Sequence, residues 1–427
     1  MRSISYRIKE KRNKLIREGL EEGLEAIIWG MRKASMDGVL RDNNKTMMLK
    51  RHRGEEVLPH DVVELILEKL PVVSLVRFKC VSKRWKSTIE SASFKQRQVL
   101  MITRKSRGPD ILYVTWLGDE EEEEEEILEE EANIMVGSCV IRSLKFPTRN
   151  DKVCYGACDG LVCFFGNRNP SVVFNPATRW RRSFPHSRVQ PRIISDARAR
   201  KKRGCYTREP QLGFGKDKVR STTYKPVWLF NSSEFGLDNV TTCEVFDFTT
   251  NAWRYVLPAS PYRIIEGQKP VYFDGSLYWL TECVETKLLS FDLHTETFQV
   301  VCNAPFSHVP DPRFLLLCIL DNRLCVSLKI YPTRTQVIWS LDSSNMTTTW
   351  KQMCSIDLTK TCFLDLPYFP DPALLPIAIV DETKLLLGYS CGSPLVIHDL
   401  HTNSYVFDSF PKMLDYPVCY FPSLFSN

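Results

Sequence analysis

The sequence predicts an α+β multidomain protein, in which a small three-helix module is followed by an all-β domain. Apolar residues recur at helical spacing over residues 56–98, whereas short apolar runs separated by Gly, Pro, Asn and Asp fill residues 137–427. A chain of 427 residues also exceeds the size at which a single hydrophobic core is usual. We therefore expect a basic extension, partly helical or disordered, over residues 1–55, and a linker over residues 99–136.

The composition is that of a folded protein, with 43% hydrophobic, 11% aromatic and 25% charged residues. These fractions exclude a wholly disordered chain, a collagen and a coiled-coil rod. No apolar run approaches the ~20 residues that span a bilayer, and residues 1–19 are charged, without the apolar segment of a secretory signal. We expect an intracellular protein, in the nucleus, the cytoplasm or both, with no membrane as a partner.

Two segments concentrate charge. Eleven of the thirteen residues 119–131 are acidic, and their mutual repulsion predicts a solvated loop or linker. A basic run is a candidate nuclear-import signal, formed by Arg198, Arg200, Lys201, Lys202 and Arg203. The alternatives are a solvated loop tip on an inserted segment, or contact with a phosphate backbone. Because no aromatic residues are interleaved for base stacking, nucleic acid is not an expected partner.

The sequence shows no recognisable catalytic, cofactor-binding or metal site. The fifteen cysteines are odd in number and form no CxxC pair, which favours free thiols in a reducing compartment. His398 and His401 flank Asp399 and could suggest a metal site, but His294 occupies the position equivalent to His401 in a repeated turn. This repetition favours a structural role in the turn. Phosphate-loop, Gly-x-Ser-x-Gly and His-Glu-x-x-His motifs are absent.

The helical module contains start and stop signals for each helix. Asp61 is predicted as the N-cap of a first helix, with Glu64 at the capping-box position, and Pro71 ends this helix. A second short helix follows, and Ser82 is predicted to cap a third helix that carries Trp85. Three such helices form a very small core, so we interpret the module as half of an interface.

One pattern of residues runs through this module in unbroken register: Leu58, Pro59, Asp61, Val63, Ile66, Leu67, Leu70, Pro71, Ser74, Leu75, Arg77, Phe78, Val81, Ser82, Lys83 and Trp85. The pattern resembles an F-box, the adaptor-binding motif of cullin-RING ubiquitin ligases. It differs at Val73, where a basic residue is common, and at Ser82, where cysteine is common. The resemblance implies docking on a Skp-family adaptor, and through it on a cullin, by Leu58, Pro59, Leu67, Leu70, Leu75, Val81 and Trp85.

A repeated pattern runs through the all-β segment. A strand ends in Asp or Asn, a Thr-containing turn follows, and an aromatic residue opens the next strand, at Trp180, Trp253, Phe298, Trp350 and Tyr405. Four copies are preceded by an acidic turn, at Asp159, Asp274, Asp321 and Asp381. A period of roughly 45–50 residues with several strands per unit indicates a kelch-like β-propeller. The segment is long enough for about six blades. Because five copies are visible, degenerate further blades and another all-β arrangement both stay open.

The all-β segment also resembles the F-box-associated domain of plant F-box proteins, over residues 159–163, 174–178, 212–215, 224–227 and 275–279. Together the two resemblances imply a non-catalytic receptor that recognises a target protein for a Skp-cullin-F-box (SCF) ubiquitin ligase, without naming the target. The alternative is a propeller-fold enzyme or glycan-binding protein with an unrelated helical N-terminus. A nucleic-acid-binding protein is a second alternative.

Overall fold

The computed structural model describes part of the chain, all of it within one compact unit, His60–Asn427. The described residues are 60–68, 70, 72–91, 93–95, 110–116, 130–136, 139–146, 152–166, 170–192, 195, 211–220, 223–235, 237–306, 311, 314–342, 348–361, 373–388, 395–408, 418–421 and 423–425. The predictions for the basic extension and for most of the acidic segment fall outside these residues.

Three helices open the described chain: α1 (His60–Glu68), α2 (Val72–Phe78) and α3 (Lys83–Glu90). The cap on α3 is confirmed, because the Ser82 hydroxyl accepts the backbone N–H of Trp85 at 3.1 Å. The cap predicted at Asp61 is wrong, since α1 begins at His60 and Asp61 lies inside the helix. Sequence patterns fix helix ends only to within one or two residues.

Twenty-four strands follow in the described residues. The first three are β1 (Asp110–Trp116), β2 (Glu130–Val136) and β3 (Cys139–Phe146). The next twenty form five four-stranded blades, in which each strand is antiparallel to the one before it.

Blade 1 holds β4 (Lys152–Cys158), β5 (Leu161–Gly166), β6 (Ser171–Asn175) and β7 (Trp180–Phe184). Blade 2 holds β8 (Leu212–Lys216), β9 (Tyr224–Asn231), β10 (Thr241–Asp247) and β11 (Ala252–Tyr255). Blade 3 holds β12 (Val271–Phe273), β13 (Ser276–Leu280), β14 (Lys287–Asp292) and β15 (Phe298–Asn303). Blade 4 holds β16 (Leu315–Leu320), β17 (Arg323–Ile330), β18 (Thr335–Asp342) and β19 (Thr349–Asp357). Blade 5 holds β20 (Leu375–Val380), β21 (Lys384–Gly388), β22 (Leu395–Asp399) and β23 (Tyr405–Asp408).

A sixth sheet, the closing blade, joins distant parts of the chain. Strand β24 (Val418–Tyr420) pairs antiparallel with β1, which pairs in parallel with β3, and the strand order is β2-β3-β1-β24. The inner strands β4, β8, β12, β16, β20 and β24 each contact the next, and β24 contacts β4. The sheets therefore form a closed ring, which confirms the predicted β-propeller, with five blades of consecutive strands and one composite blade.

The linker predicted over residues 99–136 is wrong where β1 and β2 lie, because both strands belong to the closing blade. The partner of β1 is β24, about 300 residues further along the chain. A local sequence pattern carries no information about a pairing at this separation.

Burial differs between the middle and outer strands of a blade. In β10 six of the seven residues are buried, whereas in the outer strand β11 one of four is buried. Middle strands are covered on both faces by the neighbouring blades, so their sequences are continuous apolar runs. One core cluster, for example, joins Phe165 of blade 1 with Trp228 of blade 2, whose rings meet edge to face at 4.9 Å.

The acidic turns of the repeat form the hairpins between the first and second strands of four blades. Their central residues have positive φ, at Asp159 and Gly160, Asp274 and Gly275, Asp321 and Asn322, and Asp381 and Glu382. Two residues form the turn in blades 1, 3 and 4, and three residues form it in blade 5. Short hairpin turns favour Asp, Asn and Gly, because these residues tolerate positive φ best. The predicted turns are confirmed.

The Asx turns between the third and fourth strands are confirmed as well. In blade 3 the Asp292 carboxylate accepts the backbone N–H groups of His294 and Thr295, at 2.8 and 2.7 Å. The equivalent residues Asn175, Asp247 and Asp399 accept turn N–H groups in blades 1, 2 and 5. These bonds satisfy turn amides that no strand partner reaches.

The aromatic residue after each Asx turn packs between neighbouring blades. Trp253 is buried, and its Nε1–H donates to the Pro185 carbonyl, just beyond the outer strand of blade 1, at 2.7 Å. Two further aromatic residues make equivalent bonds: the Trp350 indole donates to Asn303, and the Tyr405 hydroxyl to Asp357. Phe298, which has no donor, is half-buried and packs against Phe291, with ring centres 4.7 Å apart. Trp253, Trp350 and Tyr405 thus bond their blades to the preceding blade, whereas Phe298 packs within its own blade.

The antiparallel order of the strands gives the ring two distinct faces. The turn face carries the hairpins and Asx turns described above. The loop face carries the connections between second and third strands and between successive blades. Strands β1 and β3 end at the loop face, and β2 begins there, because β24 runs toward the turn face and β1 is antiparallel to it.

Candidate functional site

The helical module packs on the turn face of the propeller. The core of the module contains Leu67, Val72, Leu75, Ile89 and Phe94. This core also includes Leu424, and Ala177 of blade 1 packs against the core. The edge-to-face contact of Phe78 and Trp85, 5.6 Å between ring centres, joins α2 to α3. The helices, which are too few to bury an independent core, complete it against the propeller.

The residues predicted to bind an adaptor fall into different environments. Leu58 and Pro59 lie outside the described residues. Leu67 and Leu75 are closed to solvent in the core of the module, and Leu70 and Trp85 are half-buried. Val81, in the turn between α2 and α3, is 41% exposed. Val81 is therefore the one predicted adaptor contact that is openly exposed among the described residues.

Two further apolar residues of the module are exposed and were not among the predicted contacts. Leu65 is 58% exposed and Ile66 is 39% exposed, both near the end of α1. Ile66 belongs to the F-box-like pattern of the sequence, and Leu65 stands outside that pattern. Leu65 is apolar but does not lie on the face of α1 that packs into the core. An apolar residue at such a position is the sequence signal that could have predicted an external interface.

The segment of residues 418–425, which we call the closing segment, lies between the helical module and blade 1. The Asn175 side-chain amide donates to the carbonyls of Ser423, at 3.1 Å, and Phe425, at 2.8 Å. The Thr178 hydroxyl also donates to the Phe425 carbonyl, at 2.8 Å. Gly160, at φ +78°, has no room for a side chain, because an added Cβ would lie 2.7 Å from the Phe421 carbonyl. No motif in the sequence predicted the role of this segment.

The loop face carries most of the exposed large apolar residues of the described propeller. They are Val240, Tyr255, Leu257, Val284, Ile330 and Tyr331. Leu257 and Val284 are 81% and 91% exposed, which is far above the level of a packed loop residue. The Arg188 guanidinium lies over the Tyr255 ring, 5.0 Å from its centre. Aromatic and arginine side chains of this kind are enriched at protein interfaces.

The strand ends that flank the two charged segments of the sequence lie at the loop face. The acidic segment joins β1 to β2, and the basic run joins β7 to β8. The predicted import residues Arg198, Arg200, Lys201, Lys202 and Arg203 lie outside the described residues, so their role stays a prediction.

The first residues of the β7–β8 connection are structural. Val189 is buried in the core shared by blades 1 and 2. The side-chain oxygen of the buried Gln190 accepts the Ser187 N–H at 2.9 Å, and the Arg188 N–H donates to Glu244 at 3.1 Å. Burial raises the pKa of Glu244 above its usual range, although the bond from Arg188 opposes this shift. The connection is therefore anchored before its basic run begins.

The residues considered for metal chemistry have structural roles. The His401 N–H donates to the Asp399 carboxylate in the turn, and His398 is buried with its ring 4.7 Å from that of Tyr405. Burial lowers the pKa of His398, which favours the neutral ring. Within the described residues no cluster of His, Cys, Asp or Glu could hold a metal ion.

The described cysteines show no sign of redox or nucleophilic chemistry. Ten cysteines in the described part of the chain are free thiols, and burial raises the pKa of Cys354 and Cys419 to about 12. Thiols of this kind are poor nucleophiles near neutral pH. Among the same residues, every helix is too short or too polar to cross a membrane.

Comparison with known proteins agrees with this architecture. Residues 56–97 match the family model of the F-box domain, and residues 131–426 match that of the F-box associated beta propeller domain. The second match covers more than half of the chain. The chain belongs to the F-box protein family. Its helical module is the F-box, and its propeller is the F-box-associated domain.

Curated relatives of this F-box protein come from Arabidopsis thaliana. One F-box protein is 53% identical over 305 residues, which cover 71% of this chain and 93% of the relative. An F-box/LRR-repeat/kelch-repeat protein is 48% identical over 391 residues, which cover 87% and 97% of the two chains. The similarity thus extends over nearly the whole length of these relatives.

Proposed function

We propose that this F-box protein is the non-catalytic substrate receptor of an SCF ubiquitin ligase. In this role the F-box binds a Skp-family adaptor, and through it a cullin, while the propeller binds a target protein. The observation that carries the proposal is the placement of two exposed apolar surfaces. One lies on the F-box, which packs on the turn face, and the other lies on the loop face.

Such a receptor accelerates ubiquitin transfer without bond chemistry of its own. It holds a lysine of the target near the conjugating enzyme, which raises the effective concentration of the reacting groups. The structural roles of the histidines and buried thiols described above are consistent with a binding function.

The exposed residues of the F-box are the ones to test for adaptor binding. The double variant Leu65→Asp and Val81→Asp places two charges on the exposed apolar surface, where adaptor binding would desolvate them. We expect affinity for a Skp-type adaptor to fall at least ~30-fold, or about 2 kcal/mol, in calorimetric titration. Leu67 is unsuitable for this purpose, because a charge there would disrupt the module's own core.

The control for this experiment is Ser87→Asp, which adds one carboxylate at an exposed polar position of α3. It should bind the adaptor with nearly wild-type affinity. Wild-type affinity in the double variant, with the helices still folded by circular dichroism, would show that the adaptor interface lies elsewhere.

The target surface is proposed on the loop face, around Leu257, Val284 and Tyr331. Charged substitution of Leu257 and Tyr331 to Asp should reduce the proteins captured by the receptor when the proteasome is blocked, while adaptor capture is unchanged. Val219→Asp is the matched control, since Val219 is 69% exposed on the turn face. An unchanged set of captured proteins in the loop-face variant would place the target surface elsewhere.

A further inference from the structure

The closing segment contacts three parts of the molecule at once. Residues Val418–Tyr420 form the inner strand of the closing blade. The carbonyls of Ser423 and Phe425 accept hydrogen bonds from Asn175 of blade 1. Leu424, 3% exposed, lies in the hydrophobic core of the F-box. A stretch of eight residues therefore connects ring closure, blade 1 and the F-box.

The blade 1 side of this junction departs from the repeat. Blades 2, 3 and 5 have aspartate at the Asx position, namely Asp247, Asp292 and Asp399, whose carboxylates accept turn N–H groups. Blade 1 has Asn175, which accepts the Ala177 N–H in the same way and also donates to the closing segment. An amide both accepts and donates, whereas an ionised carboxylate only accepts. The change from Asp to Asn thus serves the contact with the closing segment.

The bonds fix the direction of Leu424. Ser423 and Phe425, its neighbours on both sides, are held against blade 1 through their carbonyls. The Phe425 ring is also packed edge to face on Trp180, 5.0 Å between ring centres. With both neighbours held, the side chain of Leu424 is directed into the F-box core rather than packed on the propeller.

Resting on the proposed function, we propose that Leu424 is a positioning residue that holds the F-box and the propeller as one rigid body during ubiquitin transfer. In that transfer a lysine amine attacks the thioester that links ubiquitin to the conjugating enzyme. An isopeptide bond forms, the enzyme's thiol is released, and the amine loses its proton. Because the adaptor side fixes the conjugating enzyme, a rigid receptor presents only a few lysines within reach of the thioester.

The test uses Leu424→Glu in the full chain, with Phe421→Glu as the matched control. Phe421 belongs to the same segment but is 39% exposed and lies outside the F-box core. Each variant is assembled with a Skp-type adaptor, a cullin, the conjugating enzyme and ubiquitin. The lysines of the receptor itself that become modified are then mapped by mass spectrometry. Limited proteolysis between the F-box and the propeller is followed in parallel, without the ligase.

We expect wild type and Phe421→Glu to be modified at the same few lysines and to resist the protease equally. Leu424→Glu should be cleaved at least tenfold faster between the modules and show modification spread over more lysines, and circular dichroism checks that its F-box helices remain folded. An unchanged lysine pattern and cleavage rate in Leu424→Glu would overturn the proposal. Failure of wild type to bind the adaptor would instead refute the proposed function. The cleavage rates, measured without the ligase, would still test whether Leu424 holds the F-box against the propeller.

A second variant separates positioning from folding. Ala177→Glu perturbs the same cluster from blade 1, and it should reproduce the behaviour of Leu424→Glu with the propeller still folded by thermal melting. If both variants unfold the propeller, Leu424 is a residue of the propeller's own core, and the positioning role is wrong.

Discussion

Replacing Asn175 with aspartate isolates the contact between blade 1 and the closing segment. Asn175 is fully buried, and its amide donates to Ser423 and Phe425, while its Oδ1 accepts the N–H of Ala177. Asn175→Asp keeps the acceptor and the size of the side chain but removes both donated bonds. It also places a negative charge opposite two carbonyl oxygens.

The expected loss of stability can be built from these contacts. Two neutral hydrogen bonds contribute about 1 kcal/mol each, so their loss costs about 2 kcal/mol. The Ser423 carbonyl then has no donor from residue 175, which costs a further ~1–2 kcal/mol, whereas the Phe425 carbonyl keeps its bond from Thr178. With the cost of a partly buried charge, we expect the free energy of unfolding to fall by roughly 3–5 kcal/mol.

Urea unfolding followed by tryptophan fluorescence measures this loss, and Trp180, in contact with Phe425, reports on the site. Asp399→Asn is the matched control, because it makes the reverse exchange at an exposed turn and should cost less than ~1 kcal/mol. The deficit of Asn175→Asp should shrink as the pH falls, since a protonated carboxyl can donate one bond. A deficit below ~1 kcal/mol at neutral pH would refute the role assigned to the amide.

Three further predictions concern the blades. Trp253→Phe keeps an aromatic ring but loses the bond to the Pro185 carbonyl, so the free energy of unfolding should fall by about 1 kcal/mol in urea titration. An unchanged free energy of unfolding would show that this bond does not stabilise the fold. Burial raises the pKa of Glu244 in the folded protein above the usual value of 4.5, so wild-type stability should fall as the pH rises above 4.5. Urea midpoints at pH 5 and pH 7 measure this fall, which Glu244→Gln should lack. Deleting residues 196–207 should change stability by less than ~1 kcal/mol in calorimetry, whereas deleting residues 188–208 should lower it further because the buried first turn of the connection is lost.

The features that sequence analysis predicted correctly depend on local interactions. The cap at Ser82, the Asx turns and the acidic hairpins each satisfy backbone groups within about four residues of themselves. Their residue types therefore identify them directly in the sequence. The aromatic residue after each Asx turn was predicted for the same reason, because it recurs at a fixed offset from the turn.

The features that it missed depend on residues far apart in the chain. The pairing of β1 with β24 and the bond from Asn175 to Phe425 join segments about 300 and 250 residues apart. The apolar side chains of the F-box divide in the same way. Leu67 follows helical periodicity into the module's own core, whereas the exposure of Leu65 is set by what the propeller covers and leaves open. Periodicity predicts which residues share a face, and tertiary packing decides which face is covered.

The composite closing blade has a consequence for synthesis on the ribosome. Strand β1 is made early, but β24, its partner on the inner side, is about 300 residues later in the chain. At translation rates of ~5–20 residues per second, β1 waits roughly 15–60 s for this partner. During that interval one edge of β1 is open to pairing with other chains, which is the usual hazard of an unpaired strand. Nascent chains on crowded polysomes are therefore exposed to strand exchange until translation has passed Val418.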